Sequence, residues 1–392
     1  MDDHINTTPN VIGLCLLPQE LIQNIFLSLV LPEIVRLKLL NKSFSTLISD
    51  HSFVRQCNSL SNSTTWLFVY KKRWLRDAVL HAFTDRNSDR WFRIPIAELL
   101  KPVDFHCEDL YFLAASANVF LFASNNVREV VAVNLISVTV KKIPPSPLGP
   151  RGTSSWRRSG MKLVTDSSGS GHFRFMFAEF VGNRPVLFVY DSVSDTWKST
   201  EAQEKENDEV LPRRGVHVFL SVVHGPRESV LVDSSSDCDT VVVLRPRFND
   251  AEGLTVGFNW GNVIDRLHVY GDGYMMIVKS EGENGGNKRR VLKGVELWGV
   301  SLDGRKWEFV SAVPGEVMGV IEKPYGVMMG CLEEKNGIIR VALVSNSDGF
   351  WDMLWLSFDT KWKRWNWMPL PDCKMKGWNM AGISFSSGLT LQ

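Results

Sequence analysis

A hairpin pattern that recurs along most of the chain is the feature that most limits what this sequence can fold into. Each copy has an apolar run, a short polar residue, five further residues, and then Trp or Val at the start of a second run. The polar side chain can accept hydrogen bonds from the backbone that follows it and so start a turn, and the aromatic residue suits a strand. The copies run from Asp85 to Trp91, Asn134 to Val140, Asp191 to Trp197, Ser301 to Trp307 and Asp359 to Trp365.

The spacing between the copies predicts the number of units. The second residues of successive copies lie 49, 57, 110 and 58 positions apart, and 110 is twice 55. We therefore expect one further unit between the third and fourth copies, with Val241–Leu244 as its third strand and a degenerate second residue near Glu252. Six units of about 55 residues, each with four short strands, are typical of a six-bladed β-propeller.

The two ends of this region predict how the ring closes. The interval of 25 residues from Trp66 to Trp91 has room for two strands before the strand that Trp91 opens. A further apolar run lies at residues 377–385. We expect this late run to complete the first blade. The alternative architecture is a pair of large β-sandwiches.

Ahead of the repeats, residues 17–29 have the periodicity of an α-helix. Leu21, Ile25 and Leu29 share one face, and Ile22 and Phe26 make a second apolar stripe beside it. The helix is thus apolar over more than the stripe that one core requires. A helix buried inside a larger all-α domain would explain this, but the rest of the chain has a strand pattern. The excess therefore favours a docking module whose second face belongs to another protein.

Local signals predict where the helices of this region begin. Pro18 suits the first turn of a helix, and Glu20 complements the positive end of the helix dipole. Pro32 permits a second start, and the helical pattern continues through Leu37 to residues 40–41. A helical unit of this size has little core of its own and tends to need a partner.

These residues resemble the F-box, a helical module that binds a Skp-family adaptor in cullin-based ubiquitin ligases. The family pattern opens Leu-Pro-x-acidic-Leu-apolar, and residues 17–22 match it. Its Ile-apolar-x-x-Leu step corresponds to residues 25–29, its apolar-apolar-Arg-apolar-basic step to residues 34–38, and its Lys-Ser-aromatic end to residues 42–44. The resemblance implies that the helices bind the adaptor and, through it, a cullin.

The resemblance and the two-sided helix together predict the adaptor-binding residues. The pattern does not separate the residues that contact the adaptor from those that hold the module's own core. The eight candidates are Leu17, Pro18, Leu21, Ile25, Phe26, Leu29, Leu37 and Phe44.

The remainder of the chain resembles the degenerate kelch domain that follows the F-box in a group of plant proteins. The expected fold is therefore a set of N-terminal all-α F-box helices followed by an all-β kelch-type β-propeller with six blades. The expected domains are a disordered start at residues 1–13, the F-box at 14–60, a linker at 61–65 and the propeller at 66–392. The resemblance implies a non-catalytic receptor whose propeller binds a target protein for ubiquitination. The alternatives are a kelch-type enzyme and an interaction scaffold outside any ligase.

The composition of the chain and its predicted loops limit which partners and which cellular location are expected. The formal charge of +1 predicts no nucleic-acid partner. The sequence contains no run of 18 apolar residues, so we expect no membrane span. Six scattered cysteines without a Cys-x-x-Cys pair argue against structural zinc and indicate a reducing compartment, the cytoplasm or the nucleus. No catalytic residue, metal site or cofactor is predicted. The long polar stretches at residues 144–160, 201–214 and 281–290 are expected to be exposed loops that could contact a partner.

Overall fold

The computed structural model shows a group of helices followed by six β-sheets arranged as the blades of a propeller. This arrangement confirms the predicted fold class. The structure describes residues 17–61, 63–71, 78–86, 89–101, 110–152, 156, 160–166, 171–204, 217–224, 228–235, 240–248, 266–282, 289–321, 324–347, 349–371, 375–376 and 380–391. The predicted disordered start and the position near Glu252 lie outside these residues.

In the described part of the chain four helices come first, which we call the helical module, and short polar residues start two of them. The Asn41 side chain accepts a hydrogen bond from the Phe44 N–H at 2.8 Å, and Asp50 accepts from the Phe53 N–H at 3.2 Å. No helix in the described part of the chain is long and apolar enough to cross a membrane. The helices are α1 (Gln19–Ser28), α2 (Leu31–Leu37), α3 (Lys42–Ile48) and α4 (His51–Ser61).

The second helix is shorter than its sequence pattern predicts. The expected continuation through residues 40–41 is wrong, because α2 ends at Leu37 and the next three residues form a turn. Asn41 then caps α3 instead of extending α2. Its side chain offers the backbone an alternative to the helical hydrogen bond, which is why Asn favours caps over helix interiors.

Among the described residues, blades 1 to 3 each contain four antiparallel strands. In blade 1, the strand nearest the centre comes from the far end of the chain. The strands of blade 1 are β1 (Thr65–Lys71), β2 (Val79–Thr84), β3 (Phe92–Pro95) and β26 (Met380–Ser387); those of blade 2 are β4 (Leu110–Ser116), β5 (Val119–Ser124), β6 (Val130–Asn134) and β7 (Thr139–Ile143); those of blade 3 are β8 (Gly160–Thr165), β9 (Phe173–Val181), β10 (Arg184–Asp191) and β11 (Thr196–Glu201).

Blades 4 to 6 are less regular, and two of them carry an extra short strand, β20 on β18 and β25 on β23. The strands of blade 4 are β12 (Gln203–Glu204), β13 (His217–His224), β14 (Glu228–Ser235) and β15 (Val241–Leu244); those of blade 5 are β16 (Arg266–Gly271), β17 (Tyr274–Gly282), β18 (Arg290–Val300), β19 (Trp307–Ala312) and β20 (Pro324–Tyr325); those of blade 6 are β21 (Val327–Lys335), β22 (Ile338–Ser347), β23 (Phe350–Asp359), β24 (Arg364–Met368) and β25 (Met375–Lys376). Short helices α5 (Ala97–Leu100) and α6 (Gly315–Ile321) follow β3 and β19.

Blade 4 confirms the hidden repeat but builds its outer edge differently. The predicted third strand is β15, which follows β13 and β14. Its outer neighbour among the described residues is β12, which precedes the other three strands and pairs with β15 in parallel. Residues 201–204, predicted to be loop, therefore include the end of β11 and all of β12.

The late apolar run closes the ring as predicted. β26 pairs with β1 along most of its length, from Thr65 opposite Ser387 to Lys71 opposite Met380. Blade 1 is thus made from both ends of the propeller sequence. Only residues 62–64 separate the last helix from β1, and Ser61 and Thr65 on either side are buried. The predicted linker at 61–65 therefore overlaps both elements.

The helical module and blades 1 and 2 share one hydrophobic core. Phe26 and Phe53 of the helices belong to the same buried cluster as Phe68 of blade 1 and Phe120 of blade 2. Phe68 meets Phe120 edge-on with ring centroids 4.7 Å apart. We expected so small a helical unit to need a partner to bury its apolar surface. The propeller itself supplies part of that partner surface.

One of the predicted exposed loops contains buried residues. Trp156 is 3% exposed and its ring lies 5.1 Å from Phe177. The guanidinium of Arg151 lies 4.5 Å from the Trp156 ring and pairs with Glu179. The expectation of a solvated loop at residues 144–160 is therefore wrong at these two positions, where an aromatic and a cation together cover the face of blade 3.

Candidate functional site: the helical module and the channel

The two apolar stripes of α1 face opposite environments. Ile22 and Phe26 are 8% and 1% exposed and point into the shared core. Leu21 and Ile25, on the neighbouring stripe of the helix, are 49% and 39% exposed. These two large aliphatic side chains lie one turn apart and so form an exposed apolar pair on the surface of the helix.

The remaining candidate residues divide between core and surface. Phe26 and Phe44 meet edge-on with ring centroids 5.1 Å apart, so both belong to the module's own core. Pro18 is exposed at the start of α1, and the Leu21 and Ile22 N–H groups donate to its carbonyl. The half-buried candidates, which reach both the core and the surface, are Leu17, Leu29 and Leu37.

Two further exposed leucines were missed by the sequence interpretation. Leu39 is 83% exposed and Leu40 is 68% exposed, in the turn between α2 and α3. The sequence did show that these two leucines follow closely after Leu37, where α2 ends. They were not recognised as surface residues because apolar residues three positions after Leu37 also fit a helix that continues.

Polar contacts join the module to the turn after β2. The Arg86 guanidinium donates to the Leu27 carbonyl at the end of α1 at 3.2 Å. Arg90 pairs with Glu33 of α2. The second pair is largely exposed, so it adds little free energy, and the buried core supplies most of the attachment.

A cavity of about 1460 Å³ is lined by residues of all six blades, and we call it the channel cavity. Every blade contributes a residue in or next to its innermost strand, and α4 adds Asn58. Sequence reasoning had no signal for this set, because its members are scattered along the whole propeller. One lining residue from each blade in turn is Ser387, Ser116, Lys162, His217, Asp272 and Lys335.

A charged pair at the wall of the channel cavity joins blades 3 and 5. Lys162 pairs with Asp272, whose other carboxylate oxygen accepts from the Glu334 N–H of blade 6 at 3.0 Å. Burial lowers the pKa of Lys162, but the carboxylates of Asp272, Glu333 and Glu334 outweigh it and the pKa is raised overall. The lysine is therefore held as a cation, and it ties three blades together.

Burial also shifts the pKa values of two other charged side chains near this pair. Burial raises the pKa of Glu333, although the Lys162 cation opposes the rise. Burial likewise lowers the pKa of Lys335, against the attraction of Glu333. Both shifts have the sign expected when charge is withdrawn from water, so these groups destabilise the folded state when charged.

A histidine–aspartate pair also lies at the cavity wall. His217 Nδ1 is 2.9 Å from the Asp233 carboxylate, and both side chains are largely buried. A carboxylate in this position fixes the ring orientation of the imidazole. Among the residues that the structure describes, no group of three or more His, Cys, Asp or Glu is arranged to hold a metal ion.

Comparison with known families identifies the first part of the chain. The F-box domain model matches residues 14–56, which include α1 to α3 and the start of α4. An F-box indicates binding to the Skp-family adaptor of SCF-type ubiquitin ligases, in which a cullin is the scaffold. A propeller in the same chain suggests a target-binding domain.

Comparisons of the whole chain are much less informative. No curated protein matches it. Solved structures that resemble it include a nidogen/laminin complex, with 9% identity and a TM-score of 0.39 over 83% of this chain and 100% of that one. TolB from Acinetobacter baumannii has 10% identity and a TM-score of 0.39, covering 88% and 73% of the two chains. At such low scores these likenesses carry no argument about function.

Proposed function

We propose that this protein is the substrate-recognition subunit of an SCF-type ubiquitin-protein ligase. The observation that carries the proposal is the exposed apolar stripe of Leu21 and Ile25 on a helix that matches the F-box. The shared core with blades 1 and 2 supports it, because the docking helices and the propeller then move as one unit.

Within the module, exposure suggests a division of roles among the candidate residues. The exposed Pro18, Leu21 and Ile25 are proposed as direct contacts with the Skp-family adaptor. Leu39 and Leu40 are proposed to extend that surface across the turn after α2. The half-buried candidates at positions 17, 29 and 37 are proposed to border it. Phe26 and Phe44 are proposed to act indirectly, by keeping the helices in position.

The propeller is proposed to bind a target protein through loops on one face, and to be of the kelch type found in plant F-box proteins. Holding a target next to the ubiquitin-transfer machinery raises its effective concentration, so the receptor itself needs no catalytic group. The cytoplasm or the nucleus is the proposed location, because ubiquitin ligases of this class work there.

The adaptor surface can be tested by substitutions on the two sides of α1. Leu21→Ala with Ile25→Ala should weaken binding to a purified Skp-family adaptor by about 30-fold or more, since one hot-spot side chain contributes about 2 kcal/mol. The fold should survive because Ala is a good helix former and both sites are exposed. Val193→Ala, at a still more exposed site on blade 3, is the control.

The buried stripe should respond in a different way. Phe26→Ala empties the centre of the module and should cost about 3–5 kcal/mol, so the helices should unfold and binding should be lost together with helical circular dichroism. If the exposed double variant binds the adaptor as well as the parent does, the proposed receptor role is wrong. Turnover of a small molecule by the propeller would instead favour the enzyme alternative.

A further inference from the structure

The segment after β26, residues 388–391, is buried between the helical module and the propeller. Leu389 and Leu391 are each 5% exposed and belong to the hydrophobic core that the helices share with blades 1 and 2. The same segment forms part of the wall of the channel cavity, next to Asn58 of α4. These residues therefore do more than end the last strand of blade 1.

Two asparagine side chains hold the backbone of this segment, one from each part of the molecule. Asn58 accepts a hydrogen bond from the Leu391 N–H at 2.8 Å and donates to the Leu391 carbonyl at 3.2 Å. Asn118, in the turn between β4 and β5, accepts from the Thr390 N–H at 2.9 Å and donates to the Thr390 carbonyl at 2.9 Å. Each amide thus satisfies both backbone groups of one residue, as a neighbouring strand would.

The position of the two asparagines makes this arrangement a connection between domains. Asn58 lies on α4 of the helical module, whereas Asn118 is a buried residue of blade 2, 4% exposed. The covalent connection between the two parts is short, at residues 62–64. A short connection limits the distance between two bodies but not their relative rotation, so the shared core and the hydrogen bonds of the two asparagines must together fix the angle.

We propose that Asn58 and Asn118 are positioning residues, which act through residues 388–391 to fix the orientation of the helical module on the propeller. The consequence for activity rests on the proposed function: the adaptor binds the module and the target binds the propeller. The angle between them then sets the distance from the target to the ubiquitin donor. Effective concentration falls steeply when a tethered geometry cannot reach its site, so transfer depends on this angle.

The orientation can be measured directly in the full chain by a spectroscopic distance between two spin labels. Suitable sites are Asn24 on α1 and Asn366 on β24, both exposed, labelled through unnatural amino acids so that the native cysteines stay untouched. The parent should give one narrow distance distribution. Asn58→Ala should widen it at least about twofold, and adding Asn118→Ala should widen it further, because each change removes the bonds that hold the segment.

Amide hydrogen exchange provides a second readout at the segment itself. In Asn58→Ala the Leu391 amide should exchange about tenfold faster, while strands of blades 3 and 5 keep the rate of the parent. Asn126→Ala, an exposed site in the turn after β5, is the matched control and should change neither measurement. Ala favours helix, so α4 should remain intact in the Asn58 variant.

The outcomes separate this proposal from the receptor role. An unchanged distance distribution in the double variant overturns the positioning role. If Asn58→Ala lowers the melting temperature, Asn58→Asp repeats the test, since it keeps the acceptor for the Leu391 N–H but repels the carbonyl. In a reconstituted ligase, with the chain's own lysines as ubiquitin acceptors, Asn58→Ala should spread the modification over more sites while adaptor binding stays unchanged. Failure of the parent to bind the adaptor would refute the receptor role and leave the distance measurement standing.

Discussion

In the turns between the third and fourth strands of blades 2, 3 and 6, one residue adopts the left-handed backbone conformation. These residues are Val138, Asp195 and Lys363, with φ of 55°, 56° and 51°. Each lies four positions after the polar residue of the repeat. Of these three residues, Val138 is the least suited to this conformation, because its side chain is β-branched.

Val138→Asn should therefore stabilise the protein. Val138 is 61% exposed, so its removal loses little packing, and Asn tolerates the left-handed region. We expect a gain of about 1 kcal/mol, seen as a melting temperature about 1–2 °C higher. Val193→Asn is the control, because Val193 is similarly exposed in the corresponding turn of blade 3 but does not have a positive φ. Equal shifts in the two variants would contradict the strain argument.

Glu333 predicts a pH dependence of stability. Burial raises the pKa of Glu333 above its ordinary value of 4.5, so the folded state holds the proton more tightly than the unfolded state. The proton on Glu333 therefore stabilises the folded state. This contribution is complete below pH 4.5 and is lost as the pH rises through the raised pKa of the folded state.

Glu333→Gln should remove this loss. The amide oxygen can still accept the hydrogen bond that Ser387 donates to Glu333, but it carries no charge to bury. We expect the variant to be more stable than the parent at about pH 8 and equal to it at about pH 4, measured by thermal unfolding across that range. Glu308→Gln, at an exposed site on β19, is the control and should give no difference at either pH. A constant offset at all pH values would contradict this prediction.

At the scale of the elements, the recurring turn confirms its predicted chemistry in three blades. Asn134, Asp191 and Asp359 each accept hydrogen bonds from the backbone N–H groups two and three positions later, at 2.7–3.1 Å. Ser301 instead accepts from the Lys306 N–H, five positions later. Asp85 differs, because its side chain accepts from the first residue of β1 at 3.1 Å.

The tryptophans that follow these turns join adjacent blades. Their indole N–H groups donate to the preceding blade: Trp197 to the Pro144 carbonyl at 3.0 Å, and Trp365 to the Ser311 hydroxyl at 2.9 Å. Trp91 approaches the Pro371 carbonyl at 3.4 Å in the same way. The repeat thus encodes a contact between blades as well as a hairpin within one.

Trp365→Phe should weaken the contact between blades 5 and 6. Trp365 is 8% exposed, so the change removes a buried hydrogen bond and part of a buried ring. We expect a loss of about 1–3 kcal/mol, measured by denaturant unfolding. Trp362→Phe, three positions earlier and 73% exposed, is the control and should lie within about 0.5 kcal/mol of the parent. Similar losses at both positions would contradict the assigned role.

At the scale of the whole molecule, stability depends on ring closure by β26. Deleting residues 377–392 removes the strand that pairs with β1 and exposes its N–H and C=O groups to other chains. We expect the truncated protein to aggregate or unfold, as judged by light scattering and circular dichroism. A monomer with the melting temperature of the parent would rule out closure through this strand.

A point substitution tests how closely β26 packs on blade 2. A Cβ at Gly382 would lie 2.2 Å from the Phe112 carbonyl oxygen of blade 2, and the φ of 148° is unfavourable for other residues. Gly382→Ala should therefore separate β26 from the neighbouring blade and lower the melting temperature. Gly282→Ala on β17, where a Cβ meets nothing within 4 Å, is the control.

The parts that could be predicted from the sequence depend on residues close together in the chain. The hairpin repeat and the blade count both follow from side chains that bond to backbone within a few positions. The F-box pattern is equally local and covers residues 17–44. The periodicity also indicated that α1 has two apolar faces. It did not indicate which one faces the core, because both stripes have the same chemistry.

Only the tertiary structure decided which side of α1 is buried and which distant side chains meet at the channel cavity. Phe26 is buried against Phe44 and Phe53 in the cluster that the helices share with blades 1 and 2, whereas Leu21 stays exposed. The Lys162 and Asp272 pair spans 110 positions, and Asn58 meets Leu391 across 333. Such pairs form only when the closed ring brings distant strands together, and no local pattern records a partner at that distance.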